Sequence, residues 1–479
     1  MIREEGGHGL WQERLPPPWC GSGTMRCEIR RSRAARHAKL VVLDDDPTGA
    51  QTLSDVWVLT DWKPDNLTQA FEDSRDLFYV LTNTRAHSPE DTQAIDEEVV
   101  AAIHTVAQRT GVVFDLVSRG DSTLRGHYPL EVDVLSGTMQ ALTGLAYDAH
   151  LLVPAYLEEG RITYHGRHYL RRGDEMLPIA ETEYARDPVF GYTSSDLRAW
   201  VEEKSAGRVK ARDCLVIPLE VVRHGPAPVV RSLARARDNV PIIADVVSYE
   251  DLDVLSLAIL EAEQRGQRFL FRTASSFVKS YSGQPEASGW IKAVPVPASG
   301  QSRGVLVVVG SHVASTTRQL ALALEDPAVD HVELDVLRLL NEGNRAQAVR
   351  EAALAVNEDL ARGAHVIVST SRTPIRGEDR TDTLRIGQVV AGALVEVVKS
   401  IITPPRLIIA KGGITAREIA THALNIRRAH VLGQIISGVS VWVGQPNSRW
   451  AGMPFIVFPG NVGHERALAD VLGRTIEER

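Results

Sequence analysis

From Lys39 onward, short aliphatic runs alternate with stretches of helical period. The runs that read as strands are Leu40–Leu43, Leu77–Leu81, Val112–Val117, Leu151–Val153, Leu215–Pro218, Ile242–Ala244 and Phe269–Phe271, followed by Val305–Val309, Val366–Ser369, Leu407–Ala410 and Phe455–Phe458. Strand and amphipathic helix taken in turn are the signature of α/β structure with a largely parallel sheet. The helix after the second run is well announced. Ser88 stands as its N-cap, Pro89 at its first position, and acidic residues fill its first turn. Between Gly160 and Asp196 the helical period lapses into Arg, Tyr, His and Gly, which predicts a hairpin or long loop.

Punctuation divides the chain. Residues 1–36 carry Pro16-Pro17-Pro18, scattered glycine and no apolar period, and read as a disordered N-terminal extension whose basic stretch, Arg26 to Lys39, is solvated. Ala293 to Gly304 holds two prolines, two glycines and two serines. The expected layout is therefore an α/β domain over 37–295, a linker over 296–304 and a second α/β domain over 305–479. Both domains should hold largely parallel sheets, with the site in the cleft between them. A length of 479 residues exceeds one comfortable core, in line with that division.

Composition removes several functions. A net charge of −8 leaves no electrostatic footprint for nucleic acid. No apolar run approaches the ~18 residues that cross a bilayer, and the first thirty residues lack the apolar core of a secretory signal, so no membrane is expected as a partner. The three cysteines, Cys20, Cys27 and Cys214, form no zinc or redox spacing. A reducing compartment, the cytoplasm, is the expected location.

In an open parallel sheet, ligands bind beyond the carboxyl ends of the strands. The strand ends of the first domain lead into Asp44-Asp45-Asp46-Pro47-Thr48-Gly49-Ala50-Gln51, Thr82-Asn83-Thr84-Arg85, Ser118 to Gly126, Asp245, and Arg272-Thr273. One aspartate after a strand is ordinarily a helix cap. Five such ends in one domain instead suit a small, hydroxylated anion, with arginine for its carboxylate and aspartate for its hydroxyls. The second domain yields glycine: Gly310-Ser311-His312, Lys411-Gly412-Gly413-Ile414-Thr415, and Pro459-Gly460-Asn461-Val462-Gly463. Strand, glycine turn and helix start make a phosphate cradle, and three of them suggest a nucleotide. It is no Walker A site, because the chain has no Gly-Lys pair. Gly300 to Gly304 spells a serine-hydrolase elbow but precedes a strand, so that reading fails. Asp44 to Thr48 also fits the opening of haloacid-dehalogenase-type phosphatases, although Arg125 stands where their second acid belongs.

With these residues the chain resembles the four-carbon acid sugar kinases, among them D-threonate, D-erythronate and 3-oxo-tetronate kinases. Asp45 to Ala50 matches their Asp-Asp-x-Thr-Gly-Ala turn and Asp121 to Gly126 their Asp-Ser-Thr-Leu-Arg-Gly segment, and Gly310-Ser311 opens the nucleotide domain as theirs does. The resemblance runs from about residue 39 to the C-terminus. It implies ATP on the turns around Ser311, Gly412, Gly413, Ile414, Thr415, Gly460, Asn461 and Gly463, with Mg2+ bridging the phosphates and no metal ligand assigned. It implies a sugar acid held by Thr48, Gly49, Asn83, Arg85, Arg119, Ser122 and Arg125. The catalytic carboxylate would be Asp121, Asp46 or Asp45. Asp121 is preferred to Asp44, since Gly120 and Gly126 bracket its loop and two arginines keep it ionised. Ile414 replaces the family's acidic residue, Val462 its Phe, and Phe458-Pro459 its Lys-Ser. Lys411 and His312 are left as replacements for the lost cation. A sugar-acid sensor without turnover is the alternative outside catalysis, and a homo-oligomer is left open.

Overall fold

A computed structural model of the protein describes residues 15–173, 175–285, 289–291, 294, 304–373, 375 and 377–476. The expected linker, Gly304 apart, lies outside the described residues. Each of the eleven expected strands forms within two residues of its expected bounds. The chain divides into two compact units, one of residues 1–36, 122–129 and 145–284, the other of 37–121, 130–144 and 285–479. The stretch 37–121 thus packs with the C-terminal part of the chain.

The larger unit is built on a run of eleven strands. In spatial order they are Val329–Leu334, His365–Thr370, Val305–Val309, Leu407–Lys411, Pro454–Phe458, Val439–Gly444, Arg428–Ile436, Val56–Leu59, Leu77–Leu81, Ala38–Asp44 and Val113–Arg119. Pairing is parallel at both ends, and antiparallel where Val439–Gly444 and Arg428–Ile436 join the two parallel sets. Every residue of Ala38–Asp44, Leu77–Leu81, Val305–Val309 and Leu407–Lys411 is buried, as expected of parallel strands covered on both faces. The helix Pro89–Thr110 starts as read: Ser88 Oγ accepts from Asp91 N at 3.1 Å, and Gly111 closes the helix at φ 69°.

The smaller unit carries four parallel strands, in the order Phe269–Thr273, Ala149–Val153, Val240–Ala244 and Leu215–Ile217. The segment read as a hairpin or loop forms the antiparallel strands Arg161–Tyr164, Arg167–Arg172 and Glu175–Pro178.

The expected N-terminal extension needs correction. Met25–Arg36 is a helix, with Met25, Ile29 and Arg33 buried along one face against the helix Tyr249–Gln264 and the segment after it. Three of its five arginines are partly or wholly withdrawn from solvent: Arg26 pairs with Asp253, Arg36 with Glu263, and Arg33 lies over the Tyr281 ring, while Arg30 and Arg31 are exposed. Met25 and Ile29 are the only large aliphatic residues in these twelve, too few to show a helical period, because buried Arg33 supplies the rest of that face.

Candidate functional site

The acidic turn begins on the sheet. Asp44 and Arg119 end neighbouring parallel strands as register partners, which sets their side chains together. Arg119 Nη1 lies 3.0 Å from Asp44 Oδ1 and 3.4 Å from Asp45 Oδ1. Gly49 folds back over this pair so closely that a Cβ there would stand 2.0 Å from Asp44 Oδ2. Asp44 is 1% exposed. Burial, with the charges of Asp45 and Asp46, pushes its carboxyl up to about 7 against the pull of Arg119. Asn83 takes the left-handed conformation and donates its backbone N–H to the Asp44 carbonyl, as does Thr82.

A second arginine gathers the remaining acids. Arg85 Nη2 lies 2.8 Å from Asp45 Oδ1 and 3.5 Å from Asp46 Oδ2, and its Nη1 lies 3.8 Å from Asp121 Oδ2. Four carboxylates therefore surround two guanidinium groups. Asp46 has the most open side chain of the four, 18% exposed against 8% for Asp121 and 2% for Asp45. Burial works to raise its pKa, but Arg85, Arg119 and the Thr48 N–H, 2.9 Å from Oδ1, outweigh it and hold the carboxyl below its ordinary value. Asp46 is thus held as the carboxylate.

The three glycine turns meet at the carboxyl ends of Val305–Val309, Leu407–Lys411 and Pro454–Phe458, which are neighbours in the sheet. Their packing leaves no room for side chains. A Cβ on Gly310 would meet Thr415 Oγ1 at 2.2 Å, and one on Gly460 would meet Ser311 Oγ at 2.4 Å. Gly412 sits at φ 119°, a backbone conformation that L side chains rarely adopt. Ser315 and Thr316 both donate to the Gly460 carbonyl. Gln319, buried, donates to the carbonyls of Val462, Gly463 and His464 and so fixes the turn that holds Asn461. Ile414 is half-exposed beside Gly413.

The acidic and glycine turns touch. A Cβ on Gly413 would lie 2.3 Å from Asp46 Oδ2. Thr48, Gly49, Asn83, Arg85, Arg119, Asp45, Asp46 and Asp121 therefore share one unit with the residues expected for the nucleotide. Ser122 and Arg125 belong to the other unit. There His168 Nε2 donates to the Ser122 carbonyl at 2.8 Å, and Tyr192 Oη donates to the Thr123 carbonyl at 2.7 Å. Arg125 lies over the Tyr184 ring, 3.6 Å from the Asp187 carboxylate, with its Nε on Thr123 Oγ1 at 3.1 Å.

Of the two replacements for the lost cation, Lys411 is overturned. Its register partner is Phe458, its Nζ lies 3.7 Å from the centre of that ring, and Nζ donates to the Pro459 carbonyl at 2.6 Å beneath the turn. It is wholly buried, and burial holds its pKa well below the ordinary lysine value. His312 is exposed. A cation that sequence reasoning missed also stands at the Gly310-Ser311 turn. Arg372 follows the strand His365–Thr370 and donates from Nη2 to the Ser311 carbonyl at 2.6 Å. The signal was available, since the strand end at Ser369 is one more carboxyl edge to read.

Among the described residues no helix is long and apolar enough to cross a membrane. The Sugar-binding N-terminal domain family matches residues 40–281, and the Nucleotide-binding C-terminal domain family matches 306–468. The chain is 26% identical to the D-threonate kinase of Salmonella typhimurium over 462 residues, covering 91% of this chain and 97% of that one. It is 25% identical to the D-erythronate kinase of Heliobacterium modesticaldum over 335 residues, covering 67% of this chain and 69% of the relative. The 3-oxo-isoapionate kinase of Paraburkholderia graminis matches at 26% over 299 residues, covering 58% and 60%. In fold the chain is similar to crystal structures of a Salmonella typhimurium LT2 protein (TM-score 0.65, 18% identity, 92% of this chain and 99% of that one) and a Haemophilus influenzae protein (TM-score 0.59, 15% identity, 91% and 100%). With both domain families matched in order and named kinases similar over most of its length, the chain belongs to the four-carbon acid sugar kinase family.

Proposed function

We propose that the protein transfers the γ-phosphoryl group of ATP to a hydroxyl of a small, four-carbon sugar acid. The observation that carries this reading is the contact of the ionised Asp46 carboxylate with the Gly413 turn. It sets a hydroxyl-orienting group beside a backbone shaped for phosphate. Triphosphate would lie along Gly310-Ser311, Gly412-Gly413-Ile414-Thr415 and Gly460-Asn461, where glycine keeps the approach open; Gly310, Ser311 and Gly412 give their N–H groups to backbone carbonyls, so the backbone donors would come from the start of the helix Gly413–Glu418. Asp46 would accept the proton of the attacking hydroxyl. Its lowered pKa suits orientation more than strong basicity, which fits a reaction that depends chiefly on positioning and charge stabilisation.

Asp121 and Asp45 stand behind Asp46 in this reading, as partners that set the orientation of Arg85. Arg119, tied to Asp44 and Asp45, braces the turn. Arg125, part-exposed over Tyr184, would read the acid's carboxylate, with Ser122 in the same loop. Magnesium would neutralise charge on the β- and γ-phosphates. Among the described residues no group of three or more His, Cys, Asp or Glu side chains is gathered to hold a metal, so the ion would take its ligands largely from phosphate and water.

The phosphatase alternative needs Asp44, the first acid of its motif, as nucleophile. A carboxylate buried under Gly49 and paired with Arg119 is a poor candidate for that attack. The test is 31P NMR of the protein with Mg-ATP and each member of a panel of tetronic, pentonic and keto-sugar acids. The proposal expects ADP and a new phosphate-ester resonance with one or a few acids. Ester absent across the panel, or inorganic phosphate released instead, would count against it.

A further inference from the structure

At the carboxyl edge of the larger unit stands an arginine, Arg372, that the reaction described above leaves unused. Val305–Val309 and His365–Thr370 are parallel neighbours, with Val309 in register with Ser369. Ser311 and Arg372 therefore leave the sheet side by side, a few residues beyond paired strand ends. Arg372 Nη2 donates to the Ser311 carbonyl at 2.6 Å and to Thr317 Oγ1 at 2.9 Å, and Nε lies 3.3 Å from the same hydroxyl. Those bonds fix the plane of the guanidinium against the Gly310-Ser311 turn. The same Ser311 side chain lies against Gly460, and its Cβ lies near Gly412.

The rest of the group is unmet. Arg372 Nη1 is buried and has no hydrogen-bond partner, and among the described residues no carboxylate lies within ion-pair distance of the side chain. Burial depresses its pKa from the ordinary arginine value, with the more distant charge of Glu333 opposing. An arginine remains protonated even so. A buried donor left without a partner is destabilising, and a half-buried cation without a counter-charge adds to that cost. Arg85 and Arg119 also keep one buried nitrogen, Nε, without a hydrogen-bond partner, but they differ in counter-charge, since each is surrounded by aspartates. A group fixed on two of its three nitrogens, with the third bare and beside a glycine cradle, is built to take an anion with several oxygens.

We propose that Arg372 binds the polyphosphate of the nucleotide, with Nη1 donating to a phosphate oxygen while Nη2 and Nε hold the Ser311 turn in place. This inference rests on the ATP reading above and names a residue for it. The planar fork suits phosphate better than a lysine ammonium would.

The test is calorimetry on the full chain with ATP, tripolyphosphate and adenosine as separate probes. Arg372→Gln is expected to weaken ATP and tripolyphosphate at least tenfold, about 1.4 kcal/mol, and to leave adenosine within twofold of wild type. Arg372→Met gives the same readout without a polar group left buried, should the Gln variant fail to fold. Wild-type affinity for ATP in a folded Arg372→Gln or Arg372→Met protein would overturn the assignment while leaving the kinase reading intact. Equal losses for ATP and adenosine would also overturn it, because they would place Arg372 in support of the whole site. A wild-type protein that binds neither ATP nor tripolyphosphate would remove the kinase reading, and this inference with it.

Discussion

Gly413→Ala isolates the contact on which the catalytic reading depends. The new methyl would stand 2.3 Å from Asp46 Oδ2, 2.9 Å from its Cγ and 3.0 Å from Oδ1. Ordinary van der Waals separation begins near 3.4 Å, so the carboxylate must retreat by about 1 Å. Oδ1 is held by the Thr48 N–H at 2.9 Å and Oδ2 lies 3.5 Å from Arg85, so retreat weakens one charge-assisted hydrogen bond or the ion pair. That costs about 1.5–3 kcal/mol locally. The group that moves is the tip of a part-exposed side chain, so the fold survives and melting shifts by only a few degrees. A misplacement of about 1 Å at a reacting centre costs on the order of 100-fold in rate. Steady-state ADP formation should therefore show kcat lowered about 100-fold, with the KM for the sugar acid changed less. Asp46→Asn supplies the double-mutant cycle. If Gly413→Ala acts by moving Asp46, the double variant is no slower than Asp46→Asn alone. A folded Gly413→Ala protein with near-normal kcat, or rate losses that simply add in the double variant, would refute the reasoning.

Gly49→Ala drives a methyl into the buried Asp44 carboxylate and should lower stability by about 3 kcal/mol, read as the urea midpoint; an unchanged midpoint would show that Gly49 is not packed on the Asp44–Arg119 pair. Lys411→Met tests the buried lysine through pH. A lysine whose pKa is depressed on folding binds fewer protons in the folded chain than in the unfolded one, so stability rises with pH up to the unfolded lysine value. The wild-type denaturation midpoint should thus climb between pH 7 and pH 10 relative to that of Lys411→Met; parallel profiles would mean that the lysine is not desolvated. Arg125→Lys keeps charge but loses the planar fork, and should raise the KM for the sugar acid several-fold more than the KM for ATP; equal rises would mean that Arg125 does not read the acid.

The parallel framework was legible because buried parallel strands are continuous aliphatic runs, as in Val305–Val309 and Leu407–Lys411. Val56–Leu59, Val329–Leu334, Arg428–Ile436 and Val439–Gly444 were not read. Arg428–Ile436 mixes buried and part-exposed residues, and Val329–Leu334 is mostly exposed or half-buried, so neither shows a clean run. The strand-end scan collected Asp46, Arg85, Asp121 and the three glycine turns, which share one unit. It could not give the contact between Asp46 and Gly413, because the strands they follow, Ala38–Asp44 and Leu407–Lys411, stand six places apart in the sheet and the contact is made by the turns beyond them. Nor could it separate Arg119, whose register pairs it with Asp44, from an arginine open to a ligand. The N-terminal helix was hidden for the opposite reason, since its buried face is completed by Arg33 in place of an aliphatic residue.

The most direct test of the central claim is a rapid-quench single turnover with saturating Mg-ATP and the sugar acid that the panel identifies. Asp46→Asn and Asp121→Asn would be compared with wild type, and ATP affinity measured in each. The structure sets Asp46 against the glycine turn and Asp121 behind Arg85. Asp46→Asn should therefore bind ATP normally and transfer phosphate at least 100-fold more slowly, while Asp121→Asn loses less. A normal single-turnover rate from Asp46→Asn, with transfer abolished in a folded Asp121→Asn protein, would contradict the account.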